Sequence, residues 1–365
     1  MEIKAAVFRK VHEPVSIEGV EIDKPAGREV LVRTVATGVC HSDLHVVDGL
    51  GRFPLDRPMV LGHEGAGIVE TVGPDVATLK PGDHVVACLS GFCGTCEQCL
   101  SGHPNLCTGG IVTRPDTAPS RLSQKGSPFR QFLGISSYAE RMLLHENSVV
   151  RIDPELPLDR AALVGCGVLT GVGAALRTSG LKAGESVAVF GCGGVGLSIV
   201  QGARIAGARQ IIAVDMFAGK LEMAKRVGAT HSVDAGNDDP VKAVRALTGG
   251  VGVNHAFEAV GVAKIVRQAI ESLAIRGTAT IVGVLPPDAM IEFPWMAIRP
   301  ECKVQTCRMG SNRFRSDIPL YLDFYRQGRL MLDEMVSRRG RLSDINEAFR
   351  AMKAGEVART VLTFD

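Results

Sequence analysis

The sequence predicts a fold with two parts, an all-β domain and an α/β domain built on a parallel sheet. Residues 1 to about 150 contain short segments rich in Val, Ile and Thr, separated by Gly/Pro turns. From about residue 160, apolar strand-like segments alternate with helix-like segments, which is typical of a parallel sheet covered on both faces. The chain has 365 residues, enough for about two domains. We therefore expect a nucleotide-binding α/β domain inserted into, or appended to, an all-β domain.

The all-β part is predicted from four short segments that end at turn residues. Strands are expected at 4–8, 29–39, 65–73 and 82–89. The stretch 108–130 is polar, with four Lys or Arg residues and three prolines. We expect this stretch to be a long exposed loop.

The α/β part is predicted from regular alternation. Strands are expected at 186–190, 210–215, 231–234, 253–261 and 278–284, with helices at 219–229, at 240–249 and in the segment that ends near residue 275. The C-terminal part adds two helical stretches, 318–328 and 345–355, and a last strand at 359–364.

The composition excludes several partners. Apolar residues make up 45% of the chain and charged residues 22%, and the formal net charge is +2. This balance gives no reason to expect nucleic acid or an anionic membrane as a partner. No apolar run reaches about 18 residues, and no signal-peptide pattern is seen, so we expect a cytoplasmic protein.

Four cysteines form the most distinctive motif. Cys93, Cys96, Cys99 and Cys107 follow the spacing C-x2-C-x2-C-x7-C, which suits one tetrahedral Zn²⁺ with no open position. An iron–sulfur run would place its fourth cysteine about three residues after the third. A redox CxxC needs a strand before it and a helix after it, whereas the flanks here are rich in glycine. We therefore predict a structural zinc in a lobe at about 90–110.

A glycine-rich motif follows the apolar segment SVAVF. Gly191, Gly193 and Gly196 match G-x-G-x-x-G, with Gly194 and Val195 between them, and a helix-like segment comes next. This context favours a dinucleotide site, in which the glycines permit a tight turn and close approach of the pyrophosphate to the helix N-terminus.

The choice of dinucleotide is predicted from the next strand. Asp215 ends that strand, 24 residues after Gly191. A carboxylate there can accept hydrogen bonds from both ribose hydroxyls and would repel a 2′-phosphate, so NAD is preferred over NADP. Lys220 could reach the ribose or could be a solvated helix residue.

Three scattered residues form a candidate second metal site. Cys40, His63 and Cys166 each lie within or beside a glycine-rich turn. Together they would supply two thiolates and one imidazole and would leave a fourth position open for water or substrate. Individually, an apolar-flanked cysteine is more often a core residue than a metal ligand.

The motifs together resemble the zinc-dependent medium-chain alcohol dehydrogenases over essentially the full length. GVCHSD, GHEGAG, the four-cysteine loop, GCGVLTG, VFGCGGVG and RTVLTF occur in the order of that family. The resemblance implies a GroES-like β-barrel catalytic domain interrupted by a Rossmann domain. We expect the catalytic domain at 1–167, the NAD-binding domain at 168–309, and a C-terminal return to the catalytic domain at 310–365.

The resemblance also implies roles for individual residues. Cys40, His63 and Cys166 correspond to the catalytic zinc ligands, so two zinc ions per chain are expected. Glu64 corresponds to an acid near the metal, and Asp43 to a partner of the ligand histidine. Ser42 and His45 correspond to a proton relay that runs through the ribose to solvent. The cofactor contacts implied are Thr170, Val282 and Val284 at the nicotinamide, and His41 and Arg359 at the pyrophosphate. His41 stands where the family commonly has arginine, which predicts looser NADH binding and faster release.

The implied reaction is hydride transfer between an alcohol and NAD, with zinc lowering the pKa of the alcohol oxygen. Leu89, Phe132 and Leu133 correspond to pocket positions and favour a hydrophobic primary alcohol or aldehyde. An S-(hydroxymethyl)thiol dehydrogenase is the alternative within the family; it would carry an acidic residue near Gly51 and Arg52. A non-catalytic NAD- or zinc-binding protein is the alternative of another class. The loop at 108–130 favours a homodimer over a homotetramer.

Overall fold

The computed structural model describes residues 1–50, 53–110, 112–115 and 117–364. Contacts divide the chain into two compact units. Unit 1 comprises Met1–Cys166, Arg313–Gln327 and Leu332–Asp365, and unit 2 comprises Gly167–Asn312 and Gly328–Met331.

The strands are β1 (Glu2–Phe8), β2 (Ser16–Ile22), β3 (Glu29–Gly38), β4 (Met59–Val60), β5 (Glu64–Val72), β6 (His84–Ala87), β7 (Leu122–Gln124), β8 (Ser127–Pro128), β9 (Arg130–Gln131), β10 (Arg141–His145), β11 (Val149–Arg151), β12 (Ser186–Phe190), β13 (Gln210–Asp215), β14 (His231–Asp234), β15 (Val253–Glu258), β16 (Leu273–Ile281), β17 (Lys303–Thr306), β18 (Val336–Gly340) and β19 (Arg359–Thr363). The α-helices are α1 (His41–Val47), α2 (Glu97–Leu100), α3 (Leu158–Val164), α4 (Gly167–Gly173), α5 (Gly194–Ile205), α6 (Ala218–Val227), α7 (Pro240–Leu247), α8 (Ala263–Glu271), α9 (Phe314–Arg326) and α10 (Ile345–Lys353).

Unit 1 is built on two largely antiparallel sheets. One has the strand order β8-β7-β2-β1-β4-β9, and the other has the order β11-β6-β5-β3-β19-β18, with β10 also paired to β3. The last strand of the chain, β19, pairs antiparallel with β3, so the C-terminal segment joins the sheet that contains β3, β5, β6 and β11. The two sheets confirm the predicted all-β part.

Unit 2 is built on one parallel sheet with the order β14-β13-β12-β15-β16-β17. Numbered within the unit, the order is 3-2-1-4-5-6, that of the Rossmann fold. The strands are rich in β-branched residues and are mostly buried, as both-face coverage requires. This confirms the predicted α/β part, including the strand at 186–190.

The stretch 108–130 is not an exposed loop throughout, so that prediction is wrong in part. Residues 122–131 form β7, β8 and β9, and Leu122 and Phe129 belong to the core of unit 1. Arg121 is only 4% exposed because its guanidinium pairs with Glu29. The positive charge of Arg121, which favours an exposed loop when the sequence is considered alone, is neutralised by Glu29, about 90 positions earlier in the chain.

Within the described residues, no single helix has both the length and the apolar content to cross a membrane. One bent pair, Leu158–Val164 with Gly167–Thr178, meets those two criteria together. Buried core helices meet the same criteria, and most residues of both segments are buried.

Candidate functional site

The four predicted zinc cysteines come together in unit 1. The Sγ atoms of Cys93, Cys96, Cys99 and Cys107 all lie within 4.8 Å of one another. The Sγ···Sγ distance is 3.9 Å both for Cys93 and Cys99 and for Cys96 and Cys107. That is too long for a disulfide. Tetrahedral Zn–S bonds of about 2.3 Å would place sulfur atoms about 3.8 Å apart, so the cluster fits zinc.

Backbone groups around this cluster favour the thiolate form of Cys93 and Cys96, whereas burial raises the pKa of Cys99 to about 12. The N–H groups of Cys96 and Thr95 donate to Cys93 Sγ at 3.2 and 3.4 Å. Hydrogen bonds from Thr95 lower the pKa of Cys93, and those from the backbone of Thr108 and Cys99 lower the pKa of Cys96 to about 5. The thiolate is the form that binds metal. The local backbone is therefore preorganised for zinc.

The three scattered ligand candidates also come together. Cys40 lies between β3 and α1, His63 immediately precedes β5, and Cys166 follows α3. Their ligand atoms and a carboxylate oxygen of Glu64 lie within 4.8 Å of one another, and all four residues are buried. Glu64 is expected as an acid that can approach the metal, and its carboxylate lies inside the ligand cluster.

The imidazole of His63 supports a metal at this cluster. Its Nδ1 lies 3.2 Å from Asp43 Oδ2, as expected for an outer carboxylate that fixes the ring. Both ring nitrogens are buried and neither has a hydrogen-bond partner among the described residues, so Nδ1 meets Asp43 as an ionic contact and Nε2 is left for another ligand. Burial lowers the pKa of His63, but the charges of Asp43 and Cys40 outweigh it and raise the pKa to about 10. A buried, unpartnered ring nitrogen beside two cysteines is what a zinc ligand requires.

The two thiols of this cluster differ in acidity. The hydrogen bond with Cys166 holds the pKa of Cys40 well below its ordinary value, while the same bond and burial raise the pKa of Cys166. The pair of thiols lies inside the cluster of ligand atoms. Together with the orphaned nitrogen of His63, it gives the cluster the donor set of a catalytic zinc site.

Glu64 is held by an ion pair with Arg359. The carboxylate of Glu64 accepts a hydrogen bond from Arg359 Nη2, and both side chains are buried. Gly38 makes this contact possible, because a Cβ at that position would lie 2.1 Å from Glu64 Oε2. The predicted role of Arg359 at a pyrophosphate stays a prediction; the structure places its guanidinium against Glu64.

The predicted relay residues lie on α1. Ser42 Oγ is 3.9 Å from Cys40 Sγ, so the hydroxyl lies beside the metal cluster. His45 is half-buried, and its ring packs edge-on against exposed His41 at 6.5 Å between centroids. No hydrogen bond joins Ser42 to His45 in the part of the chain that the structure describes. A relay between them requires a bridging group.

The glycine-rich loop of unit 2 has the geometry of a dinucleotide site. Gly191 adopts φ +93° directly after β12. A Cβ on Gly196 would lie 1.7 Å from the Gly191 carbonyl oxygen, so only glycine allows α5 to approach the loop. A Cβ on Gly193 would meet no atom within 4 Å, which leaves its backbone accessible to a ligand. Gly193 caps α5, and Gly194 and Val195 supply free N–H groups in the first turn.

Asp215 is fixed by two backbone donors. Its Oδ2 accepts from Cys192 N–H at 2.7 Å and its Oδ1 from Phe217 N–H at 3.0 Å. Each carboxylate oxygen keeps one further acceptor site, as two ribose hydroxyls would need. The Lys220 ammonium lies 4.7 Å from the centroid of the Phe217 ring, on the same segment.

The predicted nicotinamide contacts lie at separate places in unit 2. Thr170 is buried on α4, and its hydroxyl donates to Met309 Sδ at 3.4 Å. Val282 and Val284 follow β16, at the carboxyl edge of the sheet where ligands of such folds bind. Val284 is largely exposed. Their roles stay predictions.

Sequence reasoning did not identify two aromatic residues near the metal cluster, Phe53 and Tyr138. Phe132, expected to line the pocket, packs edge-on against the His63 ring at 5.6 Å. Phe53 in turn packs against Phe132 at 5.3 Å. Tyr138, fully buried, donates a hydrogen bond to Asp43. A lone Phe or Tyr outside any motif gives no signal that could have identified it. Gly51 and Arg52, used to rank the thiol-adduct alternative, lie outside the described residues.

Comparison with known families matches both parts of the chain. Residues 26–154 match the alcohol dehydrogenase GroES-like domain, and residues 194–326 match the zinc-binding dehydrogenase family. Together these matches cover more than half of the chain.

Individual relatives are similar over the full length. The chain is 38% identical to S-(hydroxymethyl)glutathione dehydrogenase of Saccharomyces cerevisiae, over 99% of this chain and 96% of the relative. It is 38% identical to geraniol dehydrogenase of Castellaniella defragrans, over 99% and 97%. The crystal structure of benzyl alcohol dehydrogenase from Acinetobacter calcoaceticus superposes with a TM-score of 0.90 at 32% identity, covering 100% of both chains.

Proposed function

Because the chain belongs to the zinc-binding medium-chain alcohol dehydrogenase family, we propose that it transfers hydride reversibly between a hydrophobic primary alcohol and NAD. It is a zinc-dependent alcohol dehydrogenase (EC 1.1.1.-) with two zinc sites, and the family implies a nicotinamide dinucleotide. The observation that carries the proposal is the buried cluster of Cys40, His63, Glu64 and Cys166, with the Phe132 ring packed against His63.

An apolar substrate is favoured by the side chains beside the cluster. Phe132 contacts His63, and Phe53 contacts Phe132. Leu89 and Leu133, which the family resemblance alone assigns to the pocket, are also uncharged. Leu89 stands where related enzymes commonly have an aromatic ring, which suits a wider pocket. Relatives named for geraniol and for benzyl alcohol act on primary alcohols of this kind.

The mechanism assigns distinct tasks to the chain's own residues. Cys40, His63 and Cys166 would hold a zinc ion, which would supply Lewis-acid polarisation of an alcohol oxygen. Asp43 holds the His63 ring in one orientation through Nδ1. Ser42 Oγ, beside Cys40, would accept the hydroxyl proton as it passes its own proton on to a bridging group, and half-buried His45 would receive that proton and release one to solvent.

NAD is favoured over NADP by Asp215. Its carboxylate is held in place by two N–H groups and ends β13, where the ribose of a dinucleotide would lie. A 2′-phosphate there would face a fixed negative charge. Lys220, held over the Phe217 ring, is the cation nearest in sequence and would serve the ribose hydroxyls.

Two alternatives remain distinguishable. An S-(hydroxymethyl)thiol dehydrogenase is supported by the yeast relative of that name. A non-catalytic protein would be expected to lose the ligands of the open zinc site, whereas Cys40, His63 and Cys166 are all present and adjacent.

The test is a substrate panel with metal analysis on the purified protein. Benzyl alcohol and geraniol with NAD are expected to give higher kcat/KM than ethanol, than the formaldehyde–glutathione adduct, and than any alcohol with NADP. Two zinc ions per chain are expected. Preference for the thiol adduct would select the alternative, and no NAD(H) turnover with any alcohol, aldehyde or adduct would overturn the assignment.

A homodimer is the proposed assembly. Trp295 and Met296 are 81% and 82% exposed, and Met290 is similarly exposed. They precede β17, the edge strand of the parallel sheet in the described chain, whose Val304 is half exposed. An unpaired edge beside an apolar patch suits pairing with a second copy.

Trp295→Asp is therefore expected to weaken dimerisation at least about 30-fold, since a buried interface tryptophan typically contributes about 2 kcal/mol. Sedimentation equilibrium measures this. Val251→Asp, an exposed apolar residue of the same unit outside the patch, is the matched control and should remain dimeric. A wild-type protein that sediments as a monomer would refute the proposal.

A further inference from the structure

Tyr138 is a buried residue that the mechanism above does not use. It precedes β10, is fully buried, and its hydroxyl donates to Asp43 Oδ2 at 3.0 Å. Its ring packs edge-on against Phe349 at 6.3 Å between centroids. The chain has only three tyrosines, and this one points its polar atom at the carboxylate that contacts a zinc ligand.

Each oxygen of the Asp43 carboxylate accepts one hydrogen bond, and Oδ2 also lies in ionic contact with His63. Oδ1 of Asp43 accepts from Gly62 N–H at 2.8 Å, and its Oδ2 lies 3.0 Å from the Tyr138 hydroxyl and 3.2 Å from His63 Nδ1. Asp43, His63 and Tyr138 are all 0% exposed. Water therefore cannot replace a lost partner without entering the core, and each hydrogen bond has a large effect on orientation.

The backbone is shaped around this contact. Gly62 adopts φ +90°, and a Cβ there would lie 2.4 Å from Tyr138 N and 2.6 Å from a ring carbon of Tyr138. Tyr138 N–H also donates to Leu61 O at 3.0 Å. The turn that delivers His63 is thus packed directly on Tyr138.

The hydroxyl of Tyr138 remains a donor. It donates to Asp43 Oδ2, and the Asp43 carboxylate has only acceptor atoms to offer it.

We infer that Tyr138 is a positioning residue for the zinc ligand His63, acting through Asp43. The hydroxyl fixes the plane of the carboxylate, and the carboxylate fixes the imidazole. Outer partners of metal ligands orient the ligand and maintain metal affinity in this way. The inference rests on the zinc site of the proposed function and adds a residue to it.

Tyr138→Phe tests the inference, because it removes one oxygen and keeps the ring. The Asp43 carboxylate then loses a donor and can rotate, so zinc is expected to leave this site about tenfold faster in excess chelator, at the low end of outer-partner effects. In the enzyme loaded with Co²⁺, the visible d–d bands are expected to shift. The bands of the four-cysteine site should stay unchanged and serve as an internal reference.

A second variant guards against a packing effect. Tyr138→3-fluorotyrosine, introduced at that position alone, keeps the hydroxyl and makes it a stronger donor. Metal loss is expected to slow, and the bands should move in the direction opposite to that seen with Tyr138→Phe. Movement in the same direction would mean that packing, rather than the hydrogen bond, determines the metal site.

Two controls test whether Tyr138 acts on the zinc site through Asp43. Tyr325→Phe removes a similar hydrogen bond, from Tyr325 Oη to Asp333 Oδ2 at 3.0 Å, and should leave metal loss unchanged. In an Asp43→Asn background, Tyr138→Phe should have little further effect, because residues that act through one another are not additive. Wild-type spectra and rates for Tyr138→Phe would overturn the inference. One zinc per chain in the wild-type protein would instead overturn the proposed function, on which the inference about Tyr138 rests.

Discussion

His63→Ala is expected to leave one zinc per chain and to lower kcat/KM by more than about 100-fold, because loss of a ligand exceeds the 10–100-fold effect of losing an outer partner. His63 supplies the one nitrogen among the clustered ligand atoms, and its Nε2 has no other partner in the described chain. Without it, Cys40 and Cys166 hold the metal with two sulfurs, assisted only by Glu64.

The measurement combines metal analysis with steady-state kinetics. His231→Ala is the matched control, since His231 is exposed on β14 and belongs to neither metal cluster. It should keep two zinc ions and full activity. Two zinc ions per chain in His63→Ala, or activity close to wild type, would remove His63 from the site.

The parts of the site that could be predicted from sequence depend on local spacing. The four cysteines lie within fifteen residues, and the glycine loop lies between one strand and the next helix, so short-range geometry brings each set together. The parallel sheet is predicted for the same reason, since the strands from β12 to β16 alternate with helices. For Cys40, His63 and Cys166, spacing alone left a core interpretation open, and only the family motifs related them.

The parts that could not be predicted depend on contacts between distant segments. Tyr138 reaches Asp43 across 95 positions and Arg359 reaches Glu64 across 295. Neither pair has a spacing rule. The polar stretch 108–130 was interpreted as solvated because its charges were counted without their partner, Glu29. Hydropathy reports the cost of burying a charge but cannot show that another segment neutralises it.

Because Glu29 neutralises Arg114 and Arg121, Glu29→Gln is expected to lower the free energy of unfolding by about 3 kcal/mol near neutral pH. The carboxylate of Glu29 pairs with Arg114 Nη2 at 2.6 Å and with Arg121 Nε at 2.8 Å. Removal of its charge leaves Arg121, 4% exposed, in the core of unit 1 without a counter-charge. Urea unfolding, followed by circular dichroism, measures the difference.

The ion pairs of Glu29 also predict how the stability difference between the wild-type and Glu29→Gln proteins depends on pH. Burial raises the pKa of Glu29, but hydrogen bonds from Arg114, the Ala26 N–H and Arg121 outweigh it and hold the pKa at about 2. An unfolded glutamate titrates near 4.3, so the stabilisation is complete above that pH and is lost as the pH falls toward 2. The wild-type and Glu29→Gln proteins should therefore converge in stability between about pH 4.5 and 2.

Glu347→Gln tests whether the loss of stability in Glu29→Gln comes from the burial of the ion pair or from the lowered pKa of the carboxylate alone. Arg350 and Arg338 also hold the pKa of Glu347 at about 2, yet that carboxylate is exposed on α10. Exposed ion pairs contribute little because water screens them. A much smaller loss of stability is therefore expected than in Glu29→Gln. Equal losses in the two variants would mean that the arginine contacts alone, and not the burial of Arg121 behind Glu29, stabilise the 108–130 segment on unit 1.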